Sequence, residues 1–349
     1  MSDTPTRTVS APAAAAATAA TVGANTAAGA GAGAAGFHRF RGWIARNQII
    51  FPLLGLALLC IIMVCISRQF LTPQNLGNIA LQVSTNAILA VGMTFVILTG
   101  GIDLSVGAVM ALSMTVIAGS MLAGVPPPVG IGLGVLTGFA FGCFNGFVVS
   151  YGRLPSIIVT LGAMEISRGI GLLYTKGYPF SGLPESFAFW GRGHIAGIPV
   201  PVLIMLGVFA VAWIILTHFP IGRYIYGIGG NEDAVRLSGV PVRRNKFFVY
   251  AFSGLTAGIA AVVLSSRLMS GQPNAGIGFE LDAIAAVVLG GASIAGGRGH
   301  IAGTLIGALT LGVLNNGLNL MGVSPYTQKV LKGAIILLAV YASNMKKDK

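Results

Sequence analysis

Six amides lie inside otherwise apolar runs: Gln82, Asn86, Asn145, Asn315, Asn316 and Asn319. An amide is both donor and acceptor. A row of them suits a solute covered in hydroxyls, which they hold at several points without trapping ions. Asn315 and Asn319 are four apart and share a helix face. Hydrogen bonding between helices, worth about 0.6 kcal/mol on average in membrane interiors, accounts for any one of these amides. The set reads as a pathway for a polar solute. Charges in the same surroundings are fewer. Glu165 and Arg168, three apart, fall on one face and are expected to pair. Lys329 can snorkel to an interface. Lys332 lies deeper and needs water or an acid, for which Glu165 is the candidate. Such a group either ties helices together or serves as a proton relay or solute contact.

Gly222–Lys246 is the other chemical concentration. It has five cations and the acids Glu232 and Asp233, in a chain with only 9% charged residues. Asn231 to Ser238 reads as one short helix. Asn231 caps its first N–H groups, and Glu232 and Asp233 suit the positive end of its dipole. Gly239 and Pro241 stop it. A short capped helix in a basic loop is suited to docking on a partner, and equally to being a solvated connector.

The elements that must position these groups are membrane spans. The 349 residues are 54% hydrophobic, and 9% charged falls far below the ~25% of soluble domains. The 51 glycines suit close helix packing. Alternating ten-residue segments of the β-barrel kind do not occur. The fold class expected is all-α, a polytopic transmembrane bundle of about ten spans. These run roughly over 49–67, 76–98, 105–123, 129–150, 156–174, 200–219, 246–266, 280–296, 300–320 and 326–343. Residues 1–36 are Ala/Gly/Thr-rich and expected to be disordered; 37–349 form the transmembrane domain. Cys60, Cys65 and Cys143 fall in apolar runs and give no disulfide framework or metal spacing.

With ten spans both termini share a side. Assigning that side to the cytoplasm leaves fourteen cations in cytoplasmic loops and ends. Only four, Arg68, Lys176, Arg192 and Arg267, are then periplasmic. The net charge of +12 is therefore an orientation signal, not a nucleic-acid footprint. The loops 175–199 and 267–279 are the larger external features; they seat a soluble partner or merely connect. Gly134, Gly138, Gly142 and Gly146 form a smooth packing stripe. Both the second and the eighth span break at Gly-Gly, Gly100-Gly101 and Gly290-Gly291, which weakly suggests internal duplication.

No Gly-x-x-x-x-Gly-Lys-Ser/Thr loop is present, so ATP, if used, is held by another subunit. Ser293 with His300 loosely matches a serine-hydrolase motif but lacks a third group to orient the base. No catalytic or metal residue is expected.

Several longer motifs are specific. They are Asn86–Thr94, Gly101–Gly107, Gly222–Tyr226, Gly229–Glu232, Arg236–Gly239, Glu280–Gly291 and Gly303–Ala308. Over residues 48–349 the chain resembles the membrane permeases of bacterial monosaccharide ABC importers, and Leu314–Leu320 tilts the expected sugar towards ribose. The resemblance implies an inner-membrane, multi-pass transport subunit that is not itself an enzyme. It would work with a second permease subunit, as a homodimer, with a cytoplasmic ATPase carrying ATP and Mg, and with a periplasmic sugar-binding protein. It also implies that 222–243 is the coupling region, through Gly222, Arg223, Gly229, Gly230, Asn231, Glu232, Asp233, Arg236 and Gly239. The alternative is an ion-coupled sugar symporter using Glu165, Arg168 and Lys332.

Overall fold

The computed structural model describes residues 49–345; the low-complexity start, its basic cluster and the Lys346–Lys349 tail lie outside the described residues. Five helices follow one another: α1 (Ile50–Ile66), α2 (Pro73–Leu98), α3 (Val106–Leu122), α4 (Pro127–Ser150) and α5 (Ser156–Thr175). An external segment then holds β1 (Phe180–Ser181), a 3-10 turn (Glu185–Ala188), α6 (Phe189–Arg192) and the hairpin of β2 (His194–Ile195) with β3 (Ile198–Pro199). The second half runs through α7 (Val200–His218), α8 (Pro220–Gly230), α9 (Glu232–Leu237), α10 (Val242–Leu268), β4 (Ser270–Gly271), α11 (Phe279–Leu289), α12 (Ile301–Leu320) and α13 (Pro325–Met345).

Six of these, α2, α4, α5, α7, α10 and α12, are long and apolar enough to cross a membrane. α1 and α3, of 17 residues each, are at the short limit. The expected span 280–296 is corrected. α11 has only 11 residues, about 17 Å, roughly half the hydrocarbon thickness. The reason is local: Gly291, Gly296, Gly297 and Gly299 all have positive φ, which ends the helix and turns the chain back.

Burial sorts the helices into centre and rim. The most apolar stretches of α2 and α10 are 83% and 78% buried, whereas α4, α5 and α7 bury a third or less. The outward faces of the rim carry Ile158, Phe147, Trp213 and Leu173, all exposed. Such a surface suits lipid, not water. The glycine stripe of α4 lies on α10, where a Cβ at Gly138 or Gly142 would collide with the backbone of Gly254. This is the most extensive helix–helix contact in the molecule, and it rests on backbones approaching without side chains between them.

The two external segments are joined. β1 pairs antiparallel with β4, setting Phe180 opposite Gly271. Arg192 Nε donates to the Arg267 carbonyl at 2.8 Å, and Phe187 is fully buried. The 175–199 loop is thus a structured cover.

Candidate transport site and coupling segment

Four of the six amides meet in one cavity of about 350 Å³. Gln82 and Asn86 come from α2, four apart and so on one face, and Asn315 and Asn319 come likewise from α12. Ala308 and Gly312 leave room on α12, Phe279 contributes an aromatic wall, and Thr85, Arg267, Asp282 and Lys332 complete the lining. Thr85 Oγ1, Asn86 Oδ1 and Asn315 Oδ1 are buried with no protein partner. Buried polar atoms are almost always satisfied, so three orphans around one cavity point to a polar occupant. Asn319 Oδ1 accepts from Gln328 Nε2 at 2.8 Å. Arg267 is steadied by donating to the Leu81 carbonyl at 2.9 Å.

The charged residues pair differently from expectation. Lys332 Nζ bonds Asp282 Oδ2 at 3.0 Å and Oδ1 at 3.2 Å, bridging α13 to α11 across the cavity wall. Glu165 is not its partner. The expected Glu165–Arg168 pair also does not form: Glu165 is exposed, while Arg168 donates to the carbonyls of Pro273 and Ala275 at 2.7 and 2.9 Å. Those carbonyls belong to the irregular segment before α11, where no helix ladder satisfies them, so a guanidinium there ties the loop to α5.

Asn145 and Asn316 are placed outside the cavity. Asn316 exchanges two hydrogen bonds with Asn75, at 2.9 and 2.7 Å, fastening α12 to α2. Asn145 donates to Ser105 Oγ at 2.8 Å. Ser105 in turn bonds Asp103 Oδ1 through both its hydroxyl and its N–H, and Ser253 Oγ reaches Oδ2 at 2.8 Å. Asp103 is 1% exposed. Burial pushes its carboxyl above the usual range, against the Ser105 and Ser253 bonds that pull it down. These two amides fasten helices together.

The Gly222–Lys246 stretch folds as its residues suggest, with one addition. α9 covers Glu232–Leu237, and Asn231 Oδ1 caps it by accepting from Ala234 N–H at 3.0 Å. Gly239, at φ 80°, turns the chain out of it. No residue of α9 is buried, and Leu237 is 89% exposed. Glu232 accepts from Arg236 at 2.7 Å and from Lys246. Partial burial opposes its ionisation, but Lys246 and Arg236 outweigh that and hold its carboxyl below the ordinary value. The addition is α8, which sequence reasoning did not separate. It turns sharply from α7 where Gly222 packs on the Leu216 backbone, and Arg223 points outward.

α8 ends in a joint. A Cβ on Gly229 would strike the Leu98 carbonyl and the Gly297 amide. Gly297 N–H donates to that same Leu98 carbonyl at 3.0 Å. The Gly100 break after α2 and the Gly296-Gly297 turn after α11 therefore lie together, and the chain that enters α9 is pressed against both. Gly230, beside it, faces open space.

Long apolar helices, a lipid-suited rim, a polar cavity among the central helices and a charged helix outside them define the class: a multi-pass membrane permease. The chain belongs to the family described as branched-chain amino acid transport system / permease component, which matches residues 75–340. Its relatives are more specific. It is 50% identical over 310 residues, 88% of this chain and 96% of the relative, to the ribose import permease protein RbsC of Escherichia coli (strain K12). It is 49% identical over 297 residues, 84% and 92% of the two chains, to the protein of the same name in Bacillus subtilis (strain 168). The D-allose transport system permease protein AlsC of Escherichia coli (strain K12) is 42% identical over 274 residues, 78% and 84% of the two chains.

Proposed function

We propose that this chain is the permease subunit of an ATP-driven importer of a monosaccharide, with ribose first. The carrying observation is the 350 Å³ cavity with its four amides and three unpartnered acceptors or hydroxyls. Its volume sits at the lower end of the ~300–1,000 Å³ of ligand pockets, a fit for one sugar ring. Sugar hydroxyls would donate to Asn86 Oδ1 and Asn315 Oδ1, and the Phe279 ring would offer an apolar face. Identities of 49% and 50% with two ribose import permeases support the choice of sugar.

Counting α11 with Gly290–His300 as one broken crossing gives ten spans, with both termini cytoplasmic by the distribution of Lys and Arg. The cavity then lies in the periplasmic half and α9 on the cytoplasmic face. ATP and Mg sit on a separate ATPase that grips α9 through Glu232, Asp233 and Arg236. A second copy of the permease and a periplasmic binding protein complete the importer. ATPase closure moves α8 and α9, the joint at Gly229 passes this to α2 and α11, and the cavity opens to the periplasm. The two states differ in free energy through the contacts the ATPase makes in each, as any population shift requires. An ion-coupled cycle finds no support, since Lys332 is tied to Asp282 and Glu165 stands apart from both.

The test is uptake into vesicles holding the chain with its ATPase and binding protein. Ribose should accumulate only with ATP, in preference to allose and xylose, and a protonophore at constant ATP should leave the rate intact. Accumulation driven by a proton gradient without ATP would defeat the reading.

A further inference from the structure

A second and larger cavity, about 770 Å³, lies between α9 and the adjoining ends of α4, α5 and α10. Its lining is basic. Arg236 and Lys246 are already engaged by Glu232. The exposed Arg153, Arg243 and Arg244 also line it, and among the described residues none of their guanidiniums forms an ion pair or hydrogen bond. Three exposed guanidiniums without a protein anion around one hollow make a patch of positive potential that attracts an anion. A second observation points the same way. Ser150, 5% exposed, lines the cavity, and its Oγ has no hydrogen-bond partner. The third feature is what borders the mouth. Tyr151 and Leu154 line it and are exposed, and Phe147 and Ile158 continue the apolar surface along α4 and α5. The hollow is thus bordered by exposed cations and opens beside a lipid-facing wall.

We infer that this cavity is a phosphate-group site at the membrane interface, built for the headgroup of an anionic phospholipid. Guanidinium forks match phosphate oxygens bidentately, and basic pockets between spans on the cytoplasmic side attract anionic headgroups. Placing it on that side rests on the orientation proposed above; the site itself does not. Arg153 reaches it from the α4–α5 turn and Arg243 and Arg244 from the first turn of α10, so a bound headgroup links two spans beside α9. Phosphate on a soluble ester offers the same chemistry without the acyl chains.

The full chain in nanodiscs separates these sources. Phosphatidylglycerol and phosphatidylcholine of matched chains are compared for retention by native mass spectrometry during delipidation. In neutral nanodiscs, glycerol 3-phosphate is titrated and read by the shift in melting temperature. One phosphatidylglycerol per chain should persist, at least fivefold over phosphatidylcholine. R153Q/R243Q/R244Q should bring this down to the phosphatidylcholine level, while R68Q/K176Q at the other end should not. S150A, which removes a hydroxyl without a protein partner, should keep the melting temperature yet lower retention about twofold, so the site remains testable if the triple variant fails to fold. Strong glycerol 3-phosphate binding with no lipid preference would assign the same site to a soluble ester. Equal retention of both lipids with no glycerol 3-phosphate shift, or retention unchanged in S150A and in a folded triple variant, would overturn it.

Discussion

α9 and the amide cavity hold their polar groups under opposite conditions. On α9 every charge is in water or at its edge, and most partners are close in sequence: Asn231 caps three residues on, Arg236 meets Glu232 four residues back, and only Lys246 comes from the next helix, fourteen residues on. In the cavity Thr85 Oγ1, Asn86 Oδ1 and Asn315 Oδ1 are buried while Gln82 and Asn319 are exposed, and the groups that meet come from far apart, Asp282 and Lys332 being fifty residues distant. The first region can lose a contact cheaply, because water replaces it. The second cannot, and three of its atoms already stand without a protein partner. In the proposed importer the exposed helix is therefore the part for a macromolecule to grip, and the cavity of unsatisfied groups the part for a small one to fill.

The connection between the two regions gives the largest expected effect. Gly229→Val places a branched side chain where the Leu98 carbonyl and Gly297 already stand. ATP-driven uptake should fall by more than about 100-fold, while sugar binding and recovery of the ATPase with the chain persist, measured by equilibrium binding and co-purification. Equal loss of all three would make the joint a packing element only.

Next comes the grip itself. Reversing Glu232, Asp233 and Arg236 together should remove ATPase association and with it uptake, with a fall in melting temperature confined to the loss of the half-buried Glu232–Lys246 pair. A folded triple variant that still transports would break the assignment of α9.

The cavity offers an internal contrast. Asn86→Leu and Asn315→Leu should each weaken uptake about tenfold, mainly through KM, with stability unchanged or raised, since an unsatisfied buried group is lost. Asn316→Leu should do the reverse. It strands Asn75, lowers stability by about 1–3 kcal/mol, and leaves the order of sugar preference alone. Chemical unfolding and competition uptake read the two sides.

Acid provides the smallest effect. The Glu232 carboxyl lies below its unfolded value, so its contribution is complete above that value, about 4.3, and is lost as pH falls through the folded one. Hydrogen exchange of α9 amides should quicken below about pH 4, and Glu232→Gln should abolish that dependence. A change at pH 6–7 instead would point to a histidine.

α9 could be placed from sequence because caps, dipole charges and glycine stops are written within a few residues of one another. The long spans were legible for a similar reason, since their apolar length is a local property. α11 was not, because its apolar run continues past the residue where positive-φ glycines end the helix. Among the amides, spacing held more information than the residue type alone. Gln82 with Asn86 and Asn315 with Asn319 are i, i+4 pairs and reach the cavity, whereas the unpaired Asn145 and Asn316 fasten helices. Asp282 was the missed partner of Lys332. Its signal was present, an acid within an apolar segment that had to be answered by something, but which cation answers depends on how α11 and α13 lie together.

The joint at Gly229, Leu98 and Gly297 also has a consequence for machining tolerance. Where three stretches of main chain touch with no side chain between them, there is no compressible spacer, and a linkage without slack has no backlash. In the proposed importer a displacement at the outer helix is delivered at full stroke instead of being absorbed by rotamers, and the same stiffness runs backwards, so a sugar seated at the far end would be felt at the drive.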